Sequence, residues 1–342
     1  MDLHDLGALT GESAELMIGA TSVLEQPEPL VVRLDHPAPV APEALAVLRR
    51  APTVVVLVGE PAEVPPELLD AVDVALTAVP DPPAPWHDAP VDLLAKRVAE
   101  QPLASVALAS LLRVSERLPV WDAVVAEAAT YGMLLGSDAY RRWLDGRAPA
   151  ERPPGDGRPP VGATYGRDRV ILTLDRPEVH NALNTEMRDL LVEHLDAAAQ
   201  VPWPRDIDLR GRGPSFCSGG DLAEFGTVPD GATSYAVRLT RHPGLAVHRV
   251  ADRARALVHG HCIGAGIEIA AFADRVVAAP RTQIRLPEVG MGLVPGAGGT
   301  VSLPRRIGRH RTAWLALSGE TIDAPTALRW GLADEVRPQA EW

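Results

Sequence analysis

Short apolar runs that lead into glycine-dense turns constrain this chain more than any other feature. Val170-Ile-Leu-Thr-Leu174 has the length and branching of a buried strand and is stopped by Asp175-Arg-Pro177. Ile207-Asp-Leu209 leads into the loop Phe216-Cys-Ser-Gly-Gly-Asp-Leu222, Ala256-Leu-Val258 into the turn Gly264-Ala-Gly266, and Val276-Val-Ala278 into the loop around Glu288. Asn184 is placed to cap a helix in which Met187, Leu190, Leu191, Leu195 and Ala198 share a face, and a further helix starts near Ala265 and carries Glu268. Strand, turn and helix in repetition predict a layered α/β protein with its site at the loop ends.

Two glutamates stand in the glycine-dense stretches Gly260-His-Cys-Ile-Gly-Ala-Gly-Ile-Glu268 and Leu286-Pro-Glu288-Val-Gly-Met-Gly-Leu-Val-Pro-Gly-Ala-Gly-Gly-Thr300. Paired carboxyls beside exposed backbone N–H groups suit a reaction that moves a proton next to a carbonyl while its oxygen gains charge. The plainer reading makes each a surface or helix-capping carboxylate and the glycines mere tight turns. Ile267, Ile269 and Ala270 around Glu268 argue against exposure there; Glu288, after Pro287, fits that reading better.

The remaining composition narrows the class. Of 342 residues, 46% are hydrophobic, enough for a large core, and the length exceeds one average domain. A formal charge of −12 without basic runs argues against nucleic acid or an anionic membrane as a partner. Cys217 and Cys262 are expected as free, buried thiols in a reducing compartment. The beginning, Met1-Asp-Leu-His-Asp-Leu, lacks the pattern of a signal peptide, and no apolar run is long enough to span a bilayer, so a cytoplasmic location is expected. His180, His259 and His261 match no standard metal-ligand spacing, and Ser215 and Ser218 sit in no nucleophile elbow. No metal site is expected.

Taken in order, the opening Leu174-Asp-Arg-Pro-Glu-Val-His-Asn-Ala-Leu-Asn184, the Phe216 loop and the two glutamate stretches resemble the crotonase (enoyl-CoA hydratase/isomerase) superfamily, from about Arg169 to about Val336. The resemblance implies a crotonase-like spiral of ββα units acting on an acyl-CoA thioester. It implies an oxyanion hole from the backbone N–H groups of Gly220 and Ala265, and ligand contacts along Ala182, Gly219, Gly220, Asp221, Leu222 and Ala223. Asp221 would orient its loop. Glu268 and Glu288 match the family's acid/base pair; sequence does not say which is which, and Glu288 is named as the acid toward the α-carbon and Glu268 as the base that activates water. Where the family usually has glycine this chain has Ala265, which keeps the N–H and adds a methyl group. A lysine often follows the loop aspartate in hydratases, but here Ala223 and Glu224 follow, leaving an anion contact to an arginine elsewhere. No permanently bound cofactor is implied, coenzyme A arriving as part of the substrate, and a homo-oligomer (trimer or hexamer) is expected.

Arg147 to Pro160, rich in Pro, Gly and charge, reads as a linker and divides the chain into an N-terminal region (1–146), a linker (147–160) and the catalytic core (161–342). Pro80-Asp-Pro-Pro-Ala-Pro85 splits the first region into an α/β-like piece and a helical piece. Leu30-Val-Val-Arg-Leu-Asp-His-Pro37 echoes Val170 to Pro177, and Thr53 to Gly59 reads as another buried strand. The segment from Asp92 through Trp121-Asp-Ala-Val-Val-Ala-Glu127 to Tyr140 resembles the helices that normally close crotonase chains, here in front of the core instead of behind it. A duplication, with a degenerate first copy whose helices cover the core within the chain or across a subunit interface, accounts for this; an unrelated accessory domain is the alternative.

Keeping both glutamates favours an enoyl-CoA hydratase of fatty acid metabolism. Isomerase, lyase or hydrolase activity on the same fold, or a non-catalytic CoA-binding subunit, remain as alternatives. The acyl pocket is expected to be lined by loops such as Thr227 to Pro243.

Overall fold

A computed structural model describes residues 27–34, 40–148, 157–200 and 206–342; the middle of the expected linker and the Asp35-His36-Pro37 end of the repeated strand motif lie outside them. The N-terminal sheet holds four strands in order, β1 (Leu30–Leu34), β2 (Val55–Gly59), β3 (Val74–Thr77) and β4 (His87–Asp88), all parallel, with α1 (Pro42–Arg50) and α2 (Pro66–Ala71) in the connections. Strand β4 follows the Pro80–Pro85 cluster and completes the sheet, so that cluster is a turn within the α/β piece and does not mark its end. Val56, Val74 and Leu76 point into the main core, while Val55, Leu57 and Ala75 join a smaller cluster with Leu48, Leu68 and Trp86. The two-residue period of a strand, with apolar side chains at both phases, buries both faces.

Four helices follow: α3 (Val91–Glu100), α4 (Pro102–Ser115), α5 (Val120–Leu135) and α6 (Asp138–Asp145). The second half opens on β5 (Val161–Tyr165) and β6 (Arg169–Leu174), an antiparallel pair, then α7 (Thr185–Gln200) and β7 (Asp206–Gly211). Next come α8 (Gly231–Thr240), α9 (Pro243–His248), β8 (Ala254–Val258), β9 (His261–Ile263), α10 (Ala265–Ala270), β10 (Arg275–Ala278) and β11 (Gln283–Arg285). The chain ends with α11 (Gly299–Ser318), kinked at Gly308, then β12 (Ile322–Asp323), α12 (Ala324–Trp330) and β13 (Glu335–Val336).

The central sheet is ordered β13-β10-β8-β7-β6-β5, and β9, β11 and β12 form a small second sheet. Each strand expected from the apolar runs of the core is present; β5 and the small sheet were not signalled, being short and poor in apolar residues. Asn184 caps α7, its Oδ1 accepting from Met187 N at 2.9 Å. Met187, Leu191, Leu195 and Ala198 are buried and Leu190 is half-buried. Residues 231–240, expected as loop, are helical: Asp230 Oδ1 accepts from Thr233 N at 2.7 Å, and no proline or second glycine interrupts the turn that follows.

Helices α3, α4 and α5 pack on α11, and one continuous cluster of apolar side chains joins Leu94, Leu108, Leu112, Ala123 and Tyr131 to Val301, Leu303 and Trp314. The contact is intramolecular. Ser115 Oγ donates to Thr300 O at 3.0 Å and Arg305 Nη2 to Leu118 O at 2.7 Å, fixing the register of this layer on the core. Asp73, 2% exposed, accepts from Val55 N (2.8 Å) and from Arg113 Nε (2.7 Å), which ties the N-terminal sheet to α4.

Candidate active site

Two glycine turns meet backbone to backbone. Cys217 N donates to His261 O and Ile263 N to Cys217 O, each at 3.0 Å, so the loop after β7 is laced to β9. Gly219 (φ +99°) and Gly264 (φ +50°) both lie where L side chains are strained. A Cβ on Gly219 would stand 3.2 Å from Ile263 O, and one on Gly264 would stand 2.4 Å from Glu288 Oε1. A side chain at Gly264 would collide with Glu288, and one at Gly219 would be tight as well as strained. The N–H groups of Gly220 and Ala265, one from each turn, meet no acceptor among the described residues, and both residues line one cleft.

The cleft has a volume of about 690 Å³, and Gly220, Asp221, Ala265, Glu268 and Glu288 are in its wall. Ala182, Gly219, Leu222 and Ala223 are not. Ala182 is buried behind the wall, where its carbonyl accepts from Arg176 Nη1 at 2.5 Å, and Leu222 turns outward with 40% of its surface exposed. Asp221 holds the loop: its carboxylate pairs with Arg176 Nη2 at 2.9 Å and accepts from Ala223 N at 2.9 Å.

Glu268 projects from α10 and is 2% exposed. Its Oε2 accepts from Ala297 N at 2.7 Å and Gly299 N at 2.9 Å. Burial raises its pKa from 4.5 to about 6; the two N–H groups and the nearby Arg238 guanidinium hold back a larger rise. Glu288 opens a single 3₁₀ turn after β11 and lines the same cleft as Glu268, close enough for the two carboxyls to influence each other. Burial, and then the charge of Glu268, push its carboxyl well above the ordinary range, and its Oε2 is a buried oxygen with no partner among the described residues. Of the two, Glu268 is the stronger acid. The proton therefore favours Glu288, and the charge favours Glu268.

Glu127 of α5 is a third buried carboxyl, absent from the site read out of the sequence. It is 1% exposed, and its carboxyl accepts from Gly298 N (2.7 Å), Thr300 N (2.9 Å) and Thr300 Oγ1 (2.7 Å). The available signal was periodicity: Val124, Glu127, Ala128 and Tyr131 recur at helical spacing on one buried face, where a lone charge needs a partner.

Helices α5 and α8 form the opposite wall and cross closely enough that a Cβ on Gly231 would stand 2.2 Å from Gly132 O. Across this crossing Arg238 stacks on Tyr131, 3.6 Å from the ring centroid, while its Nε donates to Gly296 O at 3.0 Å. The segment 227–243 does line the cleft, as a helix and its flanks.

The other sequence candidates take no place in the cleft wall. Cys217 and Cys262 are free and buried; burial pushes the Cys217 thiol up to about 12, far from a nucleophile at neutral pH. His180 Nδ1 meets Ser215 Oγ at 2.9 Å, and His259 Nε2 meets Gly213 O at 2.9 Å. No group of three His, Cys, Asp or Glu residues able to hold a metal occurs among the described residues. Nor does any described helix have the length and apolarity to cross a membrane.

The profile of the enoyl-CoA hydratase/isomerase family matches residues 169–342. The 2,3-dehydroadipyl-CoA hydratase of Escherichia coli (strain K12) is 37% identical over 171 residues, 49% of this chain and 66% of that protein. A 1,2-epoxyphenylacetyl-CoA isomerase of the same strain is 36% identical over 171 residues, 49% of this chain and 65% of that protein. The chain thus spans just under two thirds of the length of these relatives. A solved enoyl-CoA hydratase from Thermoplasma volcanium matches at 32% identity and a TM-score of 0.50, over 54% of this chain and 74% of that one. With the profile matched over half of its length and the crotonase fold shared, this chain belongs to the enoyl-CoA hydratase/isomerase family, the crotonase superfamily.

Proposed function

We propose that the protein is an enoyl-CoA hydratase, adding water across the 2,3 double bond of an acyl-CoA thioester. The observation that carries this reading is the unequal carboxyl pair: Glu268, anchored by two N–H groups, faces a Glu288 whose proton affinity is higher. One group ready to accept a proton and one ready to give it, side by side in a cleft, suit addition and its reverse.

The thioester oxygen would sit against the N–H groups of Gly220 and Ala265, where charge develops as the double bond polarises. Ionised Glu268 takes a proton from water as its oxygen bonds to C3. The electron pair of the double bond moves toward the carbonyl, and the Glu288 proton closes the C2–H bond. One water is consumed, and the pair resets when the proton left on Glu268 passes to Glu288 by way of solvent. Asp221, held by Arg176, keeps the Gly220 donor in place. Coenzyme A enters and leaves with the acyl group and needs no resident cofactor. A homo-oligomer, trimer or hexamer, is part of this reading, and light scattering on the purified chain checks it.

The test follows the loss of enoyl-thioester ultraviolet absorbance over 2-enoyl-CoAs of short, long, branched and cyclic acyl groups. Turnover that disappears in Glu288→Gln supports hydration. Migration of the double bond without loss of unsaturation points to isomerase chemistry, and cleavage of the acyl group to a lyase or hydrolase. Tight binding of the ester with no reaction, unaltered by Glu288→Gln, makes the protein a CoA-binding subunit.

A further inference from the structure

We propose that Glu127 is a positioning residue for Glu268, the two carboxyls sharing four successive backbone N–H groups so that the charge on one governs the basicity of the other. The sharing alternates along the chain. Ala297 N and Gly299 N donate to Glu268 Oε2, at 2.7 and 2.9 Å; Gly298 N and Thr300 N donate to Glu127, also at 2.7 and 2.9 Å. Gly298, at φ +102°, gives the backbone the turn that presents its neighbours' N–H groups in opposite directions just before α11 begins. These are the groups a helix start leaves without intrahelical partners. Because the donors interleave, neither carboxyl can shift without dragging the segment that holds the other.

Glu127 belongs to a helix outside residues 169–342, so the family profile does not include it. The groups that face this seat come from several elements. Glu288 approaches from the turn after β11 with Arg285 near it, Arg238 from α8, Tyr131 from α5 and Cys217 from the loop after β7. Arg238 is the cation among them that draws Glu268 toward its ionised form. A second negative charge on Glu127 would oppose Arg238 and raise the proton affinity of Glu268. Burial and the Glu268 charge push Glu127 to about 8, partly offset by its Thr300 and Gly298 donors, so near neutrality the two carboxyls carry one charge between them.

The catalytic meaning of this coupling rests on Glu268 being the base proposed above; the coupling itself does not. It is read on the full chain by titrating side-chain carboxyl carbons in protein labelled at glutamate Cδ, with Glu268→Gln to assign the Glu268 signal. The expected wild-type result is a main step for Glu268 near 6 and a smaller step near 8, where Glu127 loses its proton. In Glu127→Gln the upper step vanishes, and in Thr300→Val, which deletes the hydroxyl donor, it moves to higher pH. Where the protein turns over enoyl-CoA, kcat in Glu127→Gln loses its pH dependence around the upper step, with KM little altered. A Glu268 titration that is the same in wild type, Glu127→Gln and Thr300→Val, beside a lowered Tm, overturns the proposal and leaves Glu127 as a helix anchor. Should Glu127→Gln fail to fold, Thr300→Val still decides: an upper step that stays in place sinks the coupling.

Discussion

Strand β2 of the N-terminal sheet and strand β8 of the central sheet are both five residues long, mostly apolar, and parallel to their neighbours. They part company at their ends. Beyond β2 the chain runs through Pro61, Pro65 and Pro66 into α2; beyond β8 it passes Gly260 (φ +54°) and Gly264 (φ +50°) before α10. Proline turns a chain but brings no N–H, whereas left-handed glycine lets backbone N–H groups and a carboxyl converge in one small space. Equal frameworks therefore acquire different uses from their turns. The N-terminal sheet is a prop, held to α4 by Asp73 and Arg113 and to α11 by Arg309, whose Nη1 donates to Val72 O at 2.5 Å. In chain order between the two sheets comes the helical layer, which covers the core and sends Glu127 and Tyr131 toward the site.

If that layer belongs to the enzyme, removing it should cost everything. Deleting residues 1–146 uncovers the buried side chains of Val301, Leu303 and Trp314 and takes away one wall of the cleft. The expected product is insoluble or devoid of turnover, which expression and the absorbance assay will show; a soluble, active remainder would make the first 146 residues an accessory. The duplication proposed for that region would lose its support with it.

Within the core, Glu268→Gln and Glu288→Gln each remove one carboxyl of the proposed acid/base pair while keeping its shape. A loss of about 10²- to 10⁴-fold in kcat is expected, with smaller changes in KM. Equal activity in either variant would remove that residue from the mechanism. Gly264→Ala comes next. Its methyl group would press on Glu288 Oε1 and occupy a strained φ, so kcat should fall about 10²-fold through displacement of Glu288. A crystal structure of that variant with Glu288 unmoved and activity intact would count against the steric account of this turn.

The N-terminal sheet should respond in the opposite sense, in stability instead of rate. Asp73→Ala strands Arg113 beside a buried backbone N–H, at a cost of about 3 kcal/mol. Denaturant midpoints measure that loss, and kcat of the folded fraction should stay within twofold, roughly the scatter expected of a site the change does not touch. A matching fall in kcat would mean that this sheet reaches the chemistry.

What could be read in advance follows the same division. Glu268 and Glu288 drew notice through the glycine-dense stretches that carry them, whereas Gly220 and Ala265 were named through the family resemblance; all four line the cleft. The strands of the core were legible because parallel strands buried on both faces are continuous apolar runs. Strand β4 was hidden, since two residues after a proline cluster carry no period, and α8 was hidden by the glycine and prolines at its borders. The cleft wall differs from the expected ligand contacts because adjacent residues in a tight loop point opposite ways: Gly220 and Asp221 turn in, Leu222 turns out. Glu127 was the hardest to place. Its partners lie more than 170 positions ahead, and only folding brings α5 to the start of α11.

The last contrast separates Glu127 from the other buried carboxyls by pH alone. Its pKa is about 8 in the folded protein against an ordinary 4.5, so between those values the folded chain holds a proton that the unfolded chain has released. The stability tied to that proton is complete below 4.5 and is lost as pH rises through 8. Buried histidines work the other way: burial lowers His242 to about 3 and His310 to about 4, so their stabilising share is present above 6.5 and disappears on acidification. Subtracting Glu127→Gln from wild type cancels the histidine share and leaves Glu127 together with its coupling to Glu268. The difference in Tm, wild type minus variant, should therefore shrink steadily from pH 5 to pH 8 and level off above, across the interval set by Glu127. A difference that is flat over that range would mean that Glu127 is ionised throughout, and the burden of a neutral carboxyl would then fall on Glu288 alone.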